Sequence, residues 1–362
     1  MVLESTGGTP EVFKATDPTS SFTAQDTANN PTAVPSSMWA YQVGDVLHIV
    51  TQETSVLAAD LHYHTFNMAT DAWGTKNELI ETPKDAPATA DYIGCSVALR
   101  SDGDVIVLYC GDTDAVMGTA YNRVDYARKE ASTWTVGVEV AGGGLEVNYA
   151  GASVVLGASD QMHFFFKDHT NSDAKHRSLS SANALDTVAD VDTSASANSH
   201  LFGPGISYVS GANTVVNVPF EDSDGQLSSA QFNSGANPSI TVDDNVSGVA
   251  VKVVNNTPVA CYAVDGTTAH LLYADSSTAD LWRDSQADGG AWGTDAEVLD
   301  AVTINRVSCA VYDRSGTKLA YVYDDGGTVK YNEVSLSVFD PVIAVPGFAQ
   351  LSSCGFVGRR VI

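Results

Sequence analysis

The stretch Cys95–Cys110, CSVALRSDGDVIVLYC, decides the fold that this sequence predicts. Two apolar runs flank a polar segment in which Asp102 and Gly103 form a residue pair that readily adopts the backbone angles of a tight turn. Apolar runs of this length, rich in β-branched residues and separated by a turn, are typical of two antiparallel strands. We therefore predict a β-hairpin here.

The same pattern, two apolar or alternating runs joined by a turn, occurs six times along the chain. Corresponding positions in the second run of each repeat are separated by about 45 to 60 residues, which suits four strands and their loops. Repetition of this kind is typical of β-propellers, in which each repeat forms one four-stranded blade. The six predicted hairpins are residues 37–50, 95–110, 152–166, 206–220, 249–264 and 308–323.

A more polar run follows each hairpin and a fourth run completes each unit. The third run is LHYHTF at 61–66 in the first unit and AHLLYAD at 269–275 in the fifth. Period-2 alternation in these runs indicates strands with one buried face. The fourth run is clearest where AWGTKNELIE at 72–81 and AWGTDAEVLD at 291–300 are near copies, which indicates duplication.

These patterns predict an all-β fold: a β-propeller of six blades, each with four antiparallel strands, with seven blades kept open. Residues 1–35 are predicted to be an N-terminal extension with an outer closing strand, and residues 36–362 the propeller. The run PEVFKAT near the start resembles an outermost strand, and the terminal run SSCGFVGRRVI resembles an innermost one. We therefore expect the two chain ends to pair and close the ring.

Charge and hydropathy limit the partners that the chain can have. Among 362 residues, 44 are acidic and 18 basic, and the formal net charge of -26 repels phosphate backbones and anionic membranes. No stretch approaches the roughly 18 apolar residues of a membrane span, and Met1–Phe13 lacks the basic and apolar regions of a secretory signal. We expect no nucleic acid or membrane partner, no classical signal peptide, and a location in a virion or the cytoplasm.

The segment Ser285–Trp292, SQADGGAW, resembles the Ser-x-Asp-x-Gly-x-x-Trp turn, or Asp-box, of sialidase-like BNR-repeat propellers, with Asp288 displaced by one position. The resemblance implies a propeller architecture in which this box is a structural turn. A sialidase also needs three arginines for the substrate carboxylate, a tyrosine nucleophile with a glutamate partner, and an aspartic acid. This chain has no arginine before Arg100 and lacks the early Arg-Ile-Pro motif, so we expect no sialidase activity.

Candidate binding residues are aromatic and polar side chains on the predicted strands and turns, because aromatic rings pack well against partners and sugars. The inner apolar runs are nearly free of the carboxylates that glycosidases need, so no catalytic residue is predicted. His62 and His64 lie two apart on a strand, a pattern that favours solvent-facing alternation over a zinc site. We predict no metal and no cofactor. The candidate binding residues are Trp39, Tyr63, Trp282, Asp288 and Trp292.

The lack of a catalytic set favours a non-enzymatic structural or docking module. The Ala, Thr, Ser and Asp content is similar to that of virion proteins of tailed bacterial viruses, which implies a tail, fibre or capsid-associated component with other protein subunits as partners. Two alternatives stay open. One is a glycan-binding, lectin-like propeller that recognises a cell-surface glycan, and the other is a glycoside hydrolase whose carboxylates are dispersed along the sequence.

Overall fold

The predicted all-β class is confirmed by a computed structural model, in which antiparallel sheets follow one another along the chain. The chain forms two units. The first contains the described residues up to Val154 and from Asp160 to Asp192, and the second contains Val155–Ser159 and the described residues from Phe202 onwards. The structure describes residues 2–6, 9–14, 23–32, 35–53, 60–82, 94–111, 123–141, 149–168, 173–192, 202–222, 225–234, 239–243, 250–254, 257–278, 280–299, 303–313, 317–326 and 328–336.

The N-terminal region forms a three-stranded antiparallel sheet of β1 (Val2–Thr6), β2 (Thr9–Lys14) and β3 (Thr23–Gln25), followed by a 3-10 turn at Thr27–Asn29. The predicted outer strand PEVFKAT coincides largely with β2, which pairs with β1 and β3. Lys14 Nζ lies 2.7 Å from Asp71 Oδ1 of the next sheet. The terminal run SSCGFVGRRVI lies outside the described residues, so closure by pairing of the chain ends stays a prediction.

The first predicted hairpin is confirmed in the next sheet, in which β5 lies between β4 and β6, while β7 and β8 both pair with β6. Its second strand carries the core, since Ile49 and Val50 are fully buried. The near-copied run at 72–81 provides the two short outer strands. The strands are β4 (Pro35–Val43), β5 (Val46–Glu53), β6 (Leu61–Asn67), β7 (Ala72–Trp73) and β8 (Glu78–Glu81).

The second and third hairpins are also confirmed, each within a four-stranded antiparallel sheet whose strands pair in chain order. The second strands are buried along their described side chains, as expected for strands that are covered on both faces. Between these sheets, the rings of Tyr126 and Phe164 stack with centroids 5.6 Å apart, and Arg100 Nη1 donates to Asn183 Oδ1 at 2.6 Å. The strands are β9 (Cys95–Leu99), β10 (Val105–Gly111), β11 (Arg123–Glu130), β12 (Thr133–Ala141), β13 (Tyr149–Leu156), β14 (Met162–Asp168), β15 (Asp173–Leu179) and β16 (Ala189–Asp192).

The fourth hairpin, in the second unit, is confirmed as part of a sheet of β17 (Ile206–Ser210), β18 (Asn213–Glu221), β19 (Leu227–Asn233) and β20 (Ser239–Asp243). The chain enters β17 through Gly205, where a Cβ atom would lie 2.4 Å from Val155 Cγ2 and 2.7 Å from Val218 Cγ2. Since Val155 and Val218 are buried, glycine at this position allows the close approach of the backbone to their side chains.

The fifth predicted hairpin forms, but it does not begin a four-stranded sheet. Within residues 249–264, β21 (Val253–Val254) and β22 (Thr257–Pro258) pair as a separate two-stranded antiparallel sheet, and the first strand of the next four-stranded sheet follows them. The hairpin of that four-stranded sheet turns at Asp265-Gly266, where Gly266 has φ +59°, so the run AHLLYAD is the second strand and not the third. The sheet is β23 (Ala260–Asp265), β24 (Thr268–Ala274), β25 (Leu281–Ala287) and β26 (Ala296–Leu299).

The sixth hairpin is confirmed in a sheet whose described strands are β27 (Ile304–Asp313), β28 (Thr317–Asp325) and β29 (Thr328–Ser335). Ile304, Leu319 and Tyr321 pack with Cys261 and Leu272 of the preceding sheet in one buried cluster. Within each unit, successive antiparallel sheets follow one another in chain order and pack against each other. β-Propellers are built from sheets of this kind.

Candidate functional site

A cleft of about 260 Å³ lies in the first unit between the outer strand β12 and the sheet β13–β16. Apolar and charged side chains share its wall. The charged side chains suit a polar ligand. The ligand should also be small, because the cavity is smaller than the roughly 300–1,000 Å³ of pockets that take drug-sized molecules. The lining residues are Glu139, Val140, Ala141, Phe166, Asp168, Lys175, Arg177 and Val188.

Strand register places the side chains of this wall on one face. Phe166 pairs with Lys175 across β14 and β15, and Lys175 pairs with Asp190 across β15 and β16. Directly opposite residues of an antiparallel pair point to the same side of the sheet, and so do residues two apart on one strand. Asp168 and Arg177 therefore join the same face, and the alternation that makes these strands amphipathic also assembles the charged wall.

Lys175 is held between two carboxylates. Its Nζ lies 2.8 Å from Asp173 Oδ2 and also donates to Asp190 Oδ1, while its side chain is 15% exposed. Burial is the largest single effect and lowers the pKa of Lys175, but the hydrogen bonds to Asp173 and Asp190 and the charges of these carboxylates together outweigh it and raise the pKa above its ordinary value. The lysine therefore stays protonated and is fixed in place at the wall of the cleft.

Arg177 is positioned by main-chain carbonyls. Its Nε donates to the carbonyl oxygen of Asp186 at 2.7 Å, and its Nη1 donates to the carbonyl oxygen of Val140 on the neighbouring sheet. A guanidinium group has five N–H donors, and these two hydrogen bonds use only the Nε and Nη1 atoms. The Nη2 donors have no partner among the described residues. Arg177 thus joins the two sheets and still presents donors to a ligand.

The remaining wall supplies acceptors and an apolar floor. Glu139 is exposed on β12 and makes no hydrogen bond or ion pair to any described residue. Phe166 pairs with Lys175 across the sheet, lines the cleft and is 1% exposed. Chemically, the cleft combines cationic donors and carboxylate acceptors around a buried aromatic side chain. Such a combination can hold a hydroxyl-rich ring by hydrogen bonds.

Sequence reasoning missed this cleft. The run KHRSLS at 175–180 is one of the polar runs that follow a predicted hairpin, and the alternation of Lys175 and Arg177 in it is a usable signal. Their opposing acid, Glu139, comes from a separate sheet, which no local pattern indicates.

Two of the sequence-predicted binding residues lie in the first unit, away from the cleft lining. Trp39 is 6% exposed, and its Nε1 is buried without a partner among the described residues. Tyr63 is 3% exposed, its hydroxyl oxygen lies 2.5 Å from His48 Nδ1, and the Nζ of Lys129 lies 4.8 Å from its ring centroid. Both side chains contribute to the packed interior, and a binding role for them stays a prediction.

The other three predicted binding residues lie in the second unit around the Asp-box-like turn. Asp288 is exposed at φ +53° and accepts a hydrogen bond from Ser210 Oγ at 3.3 Å. Trp292 stacks on Tyr262 with centroids 6.0 Å apart, and Trp282 packs at the edge of the same apolar cluster. The turn fixes one sheet against its neighbour within the unit. A ligand-binding role for these residues also stays a prediction.

The two histidines on β6 differ from the expected solvent-facing pair. His64 is fully buried, the Asn77 backbone N–H donates to its Nδ1 at 3.0 Å, and its Nε2 lies 2.9 Å from Thr51 Oγ1. Burial lowers the pKa of His64 to about 3, so the ring is neutral. No group of three or more His, Cys, Asp or Glu side chains among the described residues is arranged to hold a metal ion.

None of the helical segments in the described part of the chain has the length and apolar character needed to cross a bilayer.

No family model matches the chain, and no curated relative matches its sequence. Solved structures do. The crystal structure of a triple arginine-to-alanine mutant of AofleA from Arthrobotrys oligospora is similar with a TM-score of 0.52 at 10% identity, covering 83% of this chain and 87% of that one.

Two lectins are similar at lower scores. A fungal lectin from Aleuria aurantia, described as a six-bladed β-propeller with a novel fucose recognition mode, has a TM-score of 0.49 at 10% identity, covering 82% and 91% of the two chains. The SapL1 lectin in complex with α-methyl fucoside has a TM-score of 0.47 at 16% identity, covering 84% and 97%. At these identities the likeness to AofleA concerns the fold alone. It supports the predicted β-propeller, and the number of blades stays a prediction.

Proposed function

We propose that this protein is a carbohydrate-binding β-propeller and that a sugar ring binds in the cleft between β12 and the sheet β13–β16. The observation that carries the proposal is the wall itself: Lys175, Arg177 and Glu139 line one cavity together with the buried Phe166. Sugar hydroxyls both donate and accept hydrogen bonds, so a wall with cationic donors and carboxylate acceptors matches them.

Preorganisation supports the proposal. Ordering a long side chain on binding costs about 0.5–1.5 kcal/mol. Lys175 and Arg177 are already fixed in the free protein by Asp173 and Asp190 and by main-chain carbonyls, respectively. A ligand that meets them therefore loses little affinity to side-chain ordering, as expected for a built site.

For the architecture, we propose that the sheets starting at β4, β9, β13, β17, β23 and β27 are the six blades of one propeller. The common order of their strands and the similarity to AofleA support this arrangement. The cleft would then be a groove between the second and third blades.

The cleft favours the glycan-binding alternative over the docking role that composition suggested. A virion role, protein subunits as partners, and a sialidase-type relationship stay predictions. Hydrolysis is a distinct outcome, because Glu139 and Asp168 line the same cavity and paired carboxylates are the groups that glycosidases use. Release of sugar from an aryl glycoside would identify an enzyme, whereas saturable binding without turnover would identify a lectin.

The test is glycan-array binding followed by calorimetric titration with the best monosaccharide. The substitution Arg177→Ala removes charge-assisted hydrogen bonds of about 1.5–3 kcal/mol each and should weaken binding at least about tenfold. Glu139→Ala should weaken it by about threefold or more without affecting folding, because Glu139 contacts no described partner.

The matched control is Glu297→Ala. Glu297 is likewise an exposed glutamate on the fourth strand of its sheet, and it makes no hydrogen bond to any described residue. It should leave affinity within about twofold. Binding that survives both cleft substitutions, or no binding to any glycan, would refute the proposed function.

A further inference from the structure

The cleft is negatively charged despite its two cationic side chains. Lys175 is paired with Asp173 and Asp190, so its charge is already compensated. Glu139 and Asp168 add two further carboxylates to the wall. Counting the two partners of Lys175, which do not line the cleft themselves, four acidic groups accompany two basic ones, in a chain whose formal net charge is -26. An incoming carboxylate would meet repulsion at short range, where screening by salt is weakest.

Arg177 offers a carboxylate only part of its guanidinium fork. Bidentate recognition of a carboxylate needs two parallel N–H groups of the guanidinium fork. In Arg177, Nε is bound to the carbonyl of Asp186 and Nη1 to the carbonyl of Val140. The Nη2 donors make no hydrogen bond to a described residue and can serve hydroxyl oxygens, which neutral sugars supply in number.

From this geometry we infer that the cleft selects neutral sugars over acidic ones and that Asp190 is a specificity-determining residue. The inference rests on the proposed function and specifies its ligand class. Asp190 is suited to this role because its side chain is 56% exposed and its carboxylate fixes the buried Lys175. Asparagine at position 190 keeps an oxygen that accepts from Lys175 but carries no charge, so the Lys175 ammonium would then be compensated by Asp173 alone and would attract an acidic ligand more strongly.

The experiment uses matched ligands that differ in one carboxylate: the methyl glycosides of glucose, galactose and mannose, and those of glucuronic, galacturonic and mannuronic acid. Titrations are performed on the full chain at low ionic strength, because salt weakens the repulsion. The wild-type protein should bind the preferred neutral glycoside at least about tenfold more tightly than its acidic counterpart. Asp190→Asn should raise affinity for the acidic glycoside about fivefold and leave the neutral one within about twofold.

Asp265→Asn is the control for the change in net charge. Asp265 is exposed at the end of β23, its side chain makes no hydrogen bond to a described residue, and it does not line the cleft, so both affinities should stay as in the wild type. Tighter binding of the acidic glycosides by the wild type would overturn the inference while the proposed function stands. An unchanged preference in Asp190→Asn would overturn the role of Asp190. Absence of binding to all six ligands and to the glycan array would refute the proposed function itself.

Discussion

Individual buried side chains explain why acid should destabilise this protein. His64 is enclosed in the first sheet with both ring nitrogens engaged, and burial lowers its pKa to about 3. His163 and His176 form a buried pair whose Nδ1 and Nε2 atoms lie 3.0 Å apart, and burial lowers their pKa values to about 3 and about 4. These neutral rings stabilise the folded chain by packing and hydrogen bonding, whereas a pair of histidines in a sequence can suggest a metal site.

The pH dependence follows from the sign of these shifts. In the unfolded chain a histidine titrates near pH 6.5, whereas His64 in the folded chain stays neutral down to about pH 3. Between these values the unfolded state binds the extra proton, so His64 stabilises fully above pH 6.5 and its contribution is lost as the pH falls. We expect the stability advantage of the wild type over His64→Asn to shrink by about 1.4 kcal/mol per pH unit below 6.5.

Urea unfolding of both proteins between about pH 5 and pH 8 measures this difference, since the linear extrapolation gives each free energy of unfolding. A difference that is constant with pH, or that grows in acid, would show that His64 is not a neutral buried ring.

Strand elements depend on close packing at their ends. At the entry to β17, a Cβ atom on Gly205 would lie 2.4 Å from Val155 Cγ2 and 2.7 Å from Val218 Cγ2. Valine side chains are stiff and both valines are buried, so neither methyl group can move away cheaply. Gly205→Ala should therefore cost about 1–3 kcal/mol and lower Tm by several degrees.

Gly290→Ala is the matched control in the same unit. Gly290 is exposed in the Asp-box-like turn, and its Cβ would meet one backbone oxygen at 3.2 Å. A change within about 0.5 kcal/mol is expected there. Equal Tm values for the two variants in calorimetry would contradict the packing at the start of β17.

Local sequence signals predicted most elements because hairpins are specified locally. Five hairpins were assigned correctly from alternation and turn residues, including β9–β10 at Cys95–Gly111. The fifth hairpin forms between β21 and β22, but its assignment to a four-stranded sheet was wrong, because Asn255-Asn256 between two apolar runs gives the same local signal as a blade hairpin. The hairpin of the four-stranded sheet turns at Asp265-Gly266 because β24 is the strand that this sheet buries, and β24 is buried along almost its whole length. Burial of this kind is a tertiary property that a single segment does not reveal.

At the scale of the entire chain, the acidic excess should make stability depend on salt. A net charge of -26 repels itself in the compact state, and the Debye length falls from about 30 Å at 0.01 M salt to about 3 Å at 1 M. We expect Tm to rise by a few degrees as NaCl increases over this range. Choline chloride at equal ionic strength should give a similar rise, because screening depends on ionic strength. A constant or falling Tm in both salts would show that self-repulsion is unimportant.

The sequence did not predict the candidate site, because this site, like the burial of β24, depends on tertiary packing. Its wall joins Glu139 of one sheet with Arg177 of the next, and the bond from Arg177 to the carbonyl of Val140 exists only once the two sheets are packed. The sequence-predicted aromatic residue Trp39 is instead buried in the first unit. Aromatic residues in the sequence mark positions in the packed interior, whereas the cleft is lined by charged residues that come from separate repeats.

The most direct test of sugar binding in the cleft is a crystal structure of the protein soaked with the tightest neutral monosaccharide from the array. The account predicts electron density for one ring in this cleft, with hydroxyl groups within hydrogen-bond distance of Arg177 Nη2 and Glu139. Density for the sugar at another surface, with this cleft empty at saturating ligand, would contradict it.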